Sequence, residues 1–346
     1  MLVIVTQFII LFFIMLISLF LFLIVWKYYR NKQETKQQTV KRDLLSKLNR
    51  YIQQSEFPKE YNLEDSLVFH GVEEALAEYG SFVRDVETSR YIREYVEKNF
   101  TPYYRRLLSH RSWSIRMNTL YRIDDFQMTT LHKELMKLYR SSETTKLEKY
   151  QIMRIFATLQ HENLFYMLGG QGEGLPNFYY RDILLRLDEA FFAKFIERSK
   201  EYSLPLLEGL LDAVGEKRDI TYLSFVEQML LHSSIEIRIR ALKAISKLGY
   251  IQRYDIVFQL AQSNSWQERL MCARILAKVQ TKDSLSFLKT MMSDSSWWVR
   301  SAAAQSVLEF ADGRKILSEI SNHHEDQYAR DMAKEWLERR ELVHDS

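Results

Sequence analysis

The sequence predicts an all-α protein: a single N-terminal transmembrane helix followed by a right-handed α-solenoid of stacked helical hairpins. Three observations lead there. Four arginines, Arg238, Arg269, Arg300 and Arg330, recur 31, 31 and 30 residues apart inside one local pattern. Only four prolines and ten glycines interrupt 346 residues, and these are the costly residues in helix interiors. The first 26 residues carry no charged side chain.

The N-terminal stretch comes first. Residues 8–26 alone give about 28 Å at ~1.5 Å rise, enough to cross a hydrocarbon core. No Lys or Arg precedes this stretch, and the bulky Trp26, Lys27, Tyr28, Tyr29 and Arg30 follow it. That pattern fits a retained anchor rather than a cleaved signal peptide, with the aromatics at the interface. The basic flank lies only on the C-terminal side. The N-terminus is therefore expected outside and the remainder cytoplasmic.

Residues 28–58 form a basic juxtamembrane segment. Residues 27–50 hold eight Lys/Arg against Glu34 and Asp43, a net of +6 in a chain of formal charge +3, so the rest carries −3. Membrane contact is thus expected through residues 2–26 and the basic 27–50. The apolar spacing of Val40, Leu44, Leu45, Leu48 and Ile52 is helical, so this stretch is expected to lie on the membrane or to dock on the first helices. The −3 elsewhere does not favour a nucleic-acid partner.

Residues 59–100 read as a helical N-terminal cap region, with helices over 63–83 and 89–99. Pro102 suits the first turn of a further helix, running to Ser109. The solenoid occupies 101–346 and is clearest over 219–340. Four residues before each arginine stands a capping residue: Ser234, Ser265, Ser296, Asp326. Three after it stands a small one, Ala241, Cys272, Ala303 or Ala333; seven after it stands Ile245, Leu276, Val307 or Leu337. Ser112 to Ile123 around Arg116 repeats the pattern. Counting back from Arg238 lands on Leu207, near Phe178 and on Lys149, giving six to eight repeats. A period of this length marks stacked supersecondary units, each too small to bury its apolar face alone.

Residues 295–310, SSWWVRSAAAQSVLEF, and 233–249, SSIEIRIRALKAISKLG, resemble HEAT repeats, in particular the short bacterial sort grouped with phycobilin-lyase-type repeats. Val299-Arg300 with Ala303 matches the second-helix pattern fully; Ile237-Arg238 with Ala241 and Ala329-Arg330 with Ala333 match well. Glu268-Arg269 with Cys272 and Ile115-Arg116 with Thr119 each depart at one position. The resemblance implies a protein-binding solenoid and transfers no catalytic residue. Membrane-anchored HEAT proteins of this size also resemble bacterial companions of membrane glycosyltransferases.

The series Arg116, Arg238, Arg269, Arg300 and Arg330 reads as a structural ladder, each arginine pairing with acidic or carbonyl groups of a neighbouring unit. Trp113, Trp266 and Trp297 stand three residues before their arginines, where Ile235 stands before Arg238. A hydrophobic plug at the turn is the favoured reading; an exposed protein-binding ridge including Trp298 is the other. Residues 169–174, GGQGEG, lack the Lys-Ser/Thr of a phosphate-binding loop and read as a mobile insertion. His323 and His324 have no second ligand pair at zinc spacing, and the remaining histidines are scattered. Cys272, the single cysteine, occupies a small core position and fits a reducing compartment.

No catalytic, metal or cofactor constellation emerges. The expected function is a membrane-anchored cytoplasmic scaffold that binds another protein, such as a membrane-associated glycosyltransferase. The alternative is a HEAT-like lyase or nucleic-acid-processing enzyme, which needs a cleft of convergent Asp, Arg and aromatic groups.

Overall fold

The computed structural model describes residues 2–54, 60–83, 85–169 and 175–344. Helices make up its regular structure, and among the described residues there is no strand. Helix α1 (Leu2–Gln54) runs without a break through the apolar stretch and the basic segment. Among the described residues it is the one helix long and apolar enough to cross a membrane, with a window of mean hydropathy 2.7 that is not buried in the protein.

The second half of α1 packs on α2 (Ser66–Phe82), which Asp65 caps through the amides of Leu67 and Val68. Leu44 and Leu48 are completely buried. The two helices meet at Gly71, where a Cβ would lie 2.8 Å from the Gln37 carbonyl oxygen and 2.9 Å from Val40. Lys36 pairs with Asp65 at 2.6 Å, Lys41 with Glu78 at 2.6 Å, and Lys47 with Glu60 at 3.0 Å. Of the two expectations for this segment, its second half shows docking on the first helices, and three of its lysines are engaged there.

Helix α3 (Val86–Leu107) corrects one boundary. Pro102 does not begin a helix but sits inside α3. In the turn before it, the Asn99 and Thr101 side chains donate to the Tyr95 and Glu97 carbonyls, each at 2.7 Å. Burial holds the turn in place too, because Phe100 and Tyr104 lie in an aromatic core with Phe69. Helices α4 (Trp113–Asp125), α5 (His132–Arg140) and α6 (Lys146–Thr158) follow. The chain divides into two compact units, residues 1–155 and 156–346.

The second unit continues through α7 (Asn163–Gly169), α8 (Asn177–Leu185), α9 (Glu189–Glu197) and α10 (Leu204–Lys217). Four hairpins follow, in which α11 (Leu223–Met229), α13 (Tyr254–Leu260), α15 (Lys282–Met291) and α17 (Gly313–His323) pack on the second helices α12 (Ile235–Leu248), α14 (Trp266–Val279), α16 (Trp297–Val307) and α18 (Gln327–His344), and α8 and α10 hold the matching places earlier in the stack. These second helices pack one on the next from α8 and α10 through to α16 and α18. Ala241, Cys272, Ala303 and Ala333 are all fully buried, which lets successive helices approach closely. Phe178, where the back-count falls, is exposed; Tyr180, Ile183 and Leu184 fill the core of α8 instead. Residues 170–174 of the predicted Gly-rich insertion lie outside the described residues. Left-handed caps recur with the repeat at Arg218, Gly249 and Gln280, of which only the glycine takes that φ without steric cost.

Candidate partner-binding surfaces

The arginine series builds the turns. Arg116 Nη1 donates to the carbonyls of His110 and Arg111, and Arg238 Nη1 to those of His232 and Ser233. Arg300 and Arg330 do the same with residues 294–295 and 324–325, and Arg269 with Ser263. These carbonyls belong to the arginine's own turn, not to a neighbouring unit. In three of the five, Nε then reaches across to the next repeat. Arg116 Nε meets Glu148 at 2.7 Å, Arg238 Nε meets Glu268 at 2.6 Å, and Arg269 grips Asp294 through Nε at 2.6 Å and Nη2 at 2.8 Å. Arg300 finds no carboxylate and lies over the Tyr328 ring, 4.9 Å from its centroid.

The acids were not legible as partners. Glu148 and Glu268 sit one residue before Lys149 and Arg269, where the other repeats are apolar, and both are fully buried. The departure at Glu268 thus has a physical reason: it supplies the counter-charge for Arg238. Burial works against ionisation of Glu148, but Arg116 and Thr145 outweigh it and hold the carboxyl below the ordinary range. Asp294 behaves likewise through Arg269 and the Ser296 amide.

The histidines correct another reading, for several are not scattered. Six residues before its arginine, each of His110, His232 and His324 accepts through Nδ1 from the backbone amide two residues on, at 2.9, 3.0 and 3.1 Å. Ser263 and Asp294 accept the same bond in their repeats. The Nδ1 of His324 is therefore committed to its turn. Among the described residues no group of His, Cys, Asp and Glu is placed to hold a metal. Cys272 is buried, and its thiol is pushed up by that burial.

The tryptophans depart from the favoured plug. Trp113 is 44 % exposed, Trp266 39 %, Trp297 40 % and Trp298 58 %. They open their helices at the first or second position, where a side chain points back over the turn instead of into the stack. Ile235 is exposed at the equivalent place, and Tyr328 extends the series at the start of α18. Trp297 and Trp298 meet edge to face at 4.9 Å. Helices α12, α14, α16 and α18 are successive neighbours, so these side chains form an apolar row along one edge of the second unit. Trp113, in the first unit, instead donates to Thr145 at 3.1 Å.

Residues 254–338 match the family model of HEAT repeats. The match takes in the helices of Arg269, Arg300 and Arg330. No curated protein matches the chain. Among solved structures, the chain is similar to the crystal structure of an engineered protein at 14 % identity, over 79 % of each chain, with a TM-score of 0.33. It is also similar to UNC-45 from Drosophila melanogaster at 13 % identity, over 84 % of this chain and 40 % of that one, with a TM-score of 0.33. The HEAT segment contains three of the row's aromatic helix starts, at Trp266, Trp297 and Tyr328.

A second surface was invisible in the sequence. In the first unit, α2, α3 and α4 enclose a cavity of about 540 Å³ lined by His70, Glu73, Tyr103, Tyr104, Arg122 and Asp125. Glu73 forms its floor, 6 % exposed. The Tyr104 hydroxyl donates to Glu73, while His70 Nδ1 stands 3.3 Å and Arg122 Nε 3.7 Å from the other carboxylate oxygen. Arg122 lies 3.7 Å from Asp125 as well. The Glu73 hydrogen bond raises the His70 pKa, and burial raises those of Tyr104 and Asp125. No motif announces this cluster, because its members come from three helices at unrelated spacings.

Proposed function

We propose that the chain is a membrane-anchored scaffold whose second unit binds another protein along the row of Ile235, Trp266, Trp297, Trp298 and Tyr328. The observation that carries this reading is the exposure of large aromatics within the first two positions of successive arginine-bearing helices, Trp266, Trp297, Trp298 and Tyr328. Buried in a partner, such side chains supply the rigid, amphipathic contacts that dominate interface energetics. A HEAT-repeat stack offers the extended, regular surface they need. The arginines between them do not compete, since they are occupied with carbonyls, carboxylates or the Tyr328 ring.

The anchor supports a partner in the same membrane. Holding both proteins on one surface raises effective concentration without new contacts. A membrane-associated enzyme fits best, and the family resemblance suggests a glycosyltransferase. The basic flank of the span places the repeats on the cytoplasmic side in this proposal. Photo-crosslinking tests the surface: a benzophenone side chain at Trp298 should yield one discrete adduct in membranes, and one at Tyr166, exposed elsewhere on the same unit, should not. Equal adducts from both positions would count against the row.

A second reading rests on the cavity over Glu73. It contains the Asp, Arg and aromatic groups that an enzyme would require, so a small-molecule role for the first unit is its natural alternative. Replacing Arg122 by Met tests it. Loss of an activity with folding intact would support the enzyme; loss of stability alone would leave the cluster an internal network.

A further inference from the structure

The face formed by the second helices is laced by ion pairs between neighbouring repeats, with one gap. Arg240 bonds to Asp212 and, at 2.9 Å, to Glu236. Lys247 pairs with Glu216 at 2.6 Å, and Lys278 with Glu309 at 2.7 Å. Lys243 and Arg274 are exposed between these pairs, one repeat apart, and among the described residues neither has an ion pair or hydrogen bond. Both line a cavity of about 250 Å³ together with Lys247, Asp212, Gly215 and Met271.

The arrangement costs stability in the absence of a partner. Lys243 stands four residues before Lys247 and Arg274 four before Lys278, and like charges at that spacing repel. Of these four cations, Lys247 and Lys278 have the carboxylates of Glu216 and Glu309, whereas Lys243 and Arg274 have none among the described residues. The floor is apolar and shallow: Gly215 lies so near α12 that a Cβ would come 3.2 Å from Ala244, and Met271 forms the adjoining wall.

We infer that Lys243 and Arg274 receive an acidic segment of the partner protein, with Asp or Glu side chains on the two cations and an apolar side chain over Gly215 and Met271. The inference rests on the scaffold reading and gives its partner a chemistry. Charge complementarity selects this occupant. A nucleic-acid strand or an anionic bilayer presents continuous negative charge, but Asp212 and Glu216 flank the cations on one side and Glu309 on the other. Those carboxylates repel a long polyanion and tolerate a segment with one or two local charges.

A randomised 15-residue peptide library displayed against the full chain in detergent micelles tests this. Selected peptides should carry two or more Asp or Glu around an apolar residue. Lys243→Glu with Arg274→Glu should weaken them at least tenfold, and raising salt should weaken them too. Selection of peptides without acidic residues, or unchanged binding to the reversed chain, would overturn the inference. Binding of phosphatidylserine vesicles or a single-stranded oligonucleotide that the same reversal abolishes, with no acidic peptide recovered, would overturn it in favour of those ligands. The two proposals fail separately. A co-purifying partner that depends on Trp266, Trp297 and Trp298, with no acidic peptide selected, removes this inference alone. Acidic peptides without any co-purifying partner remove the scaffold and leave the face.

Discussion

Glu268 is completely buried, and its Oε1 accepts from Arg238 Nε at 2.6 Å across the boundary between two repeats. Arg238 is itself held by two carbonyls of its own turn, so the bond fixes one hairpin against the next. Removing only the arginine leaves a buried, uncompensated carboxylate. Arg238→Ala should therefore cost about 3 kcal/mol, whereas Arg238→Met with Glu268→Leu should be near neutral. Chemical denaturation of the three proteins checks the difference, and equal losses would show that the pair is not the cause.

Stability should fall on acidification through Glu148 and Asp294. Both carboxyls titrate lower in the folded protein than in the unfolded chain, so their contribution is present above the ordinary carboxylate range of about 4 and is lost as pH drops through the folded values. Glu148→Gln should shallow that acid limb in a pH series of thermal melts. His70 acts in the opposite sense. Its raised pKa gives stability that is complete below about 6.5 and lost as pH rises through the folded value, and His70→Gln should remove that alkaline-side loss.

Gly71 should set the seat of α1. A side chain there meets the Gln37 carbonyl and Val40, which form helix backbone and a stiff branched residue. Gly71→Leu should cost about 1–3 kcal/mol as an overpacked contact and release the second half of α1 from α2. Hydrogen exchange over residues 36–52 reads this directly. Unchanged protection would mean that the ion pairs with Asp65 and Glu78 suffice.

Cys272 should be silent in the native protein, being fully buried with its thiol pushed up. That silence makes a topology experiment clean. Ser286→Cys, on the exposed surface of α15, should resist a membrane-impermeant maleimide on intact cells and react after permeabilisation. Labelling of intact cells would reverse the proposed orientation.

The repeat was legible because the stack demands it. A small residue at Ala241, Cys272 and Ala303 is needed every time two helices meet, so it recurs at one spacing; of the serines expected to cap, Ser265 does so through its side chain, whereas Ser234 and Ser296 do not. Glu268 and Asp294 were harder, since either the helix or the preceding turn can supply the same counter-charge. The histidine role was hidden by substitution: Ser263 and Asp294 do the work of His232 and His324, so no single residue type repeats. Trp266 and Trp297 were read as plugs from residue type, but their direction follows from lying at the helix start, which composition does not specify. The Glu73 cavity had no sequence signature because three helices converge on it without a period. Pro102 was read as a beginning where the buried aromatic core of Phe100 and Tyr104 carries the helix through.

The central claim is that the aromatic row binds a protein, and co-purification from detergent-solubilised membranes tests it most directly. The native chain should bring down one partner in stoichiometric amount. Trp266→Ala, Trp297→Ala and Trp298→Ala together should lose it while helical circular dichroism and the melting temperature hold. Recovery of the same partner by the triple variant, or repeated recovery of the native chain alone, would contradict it.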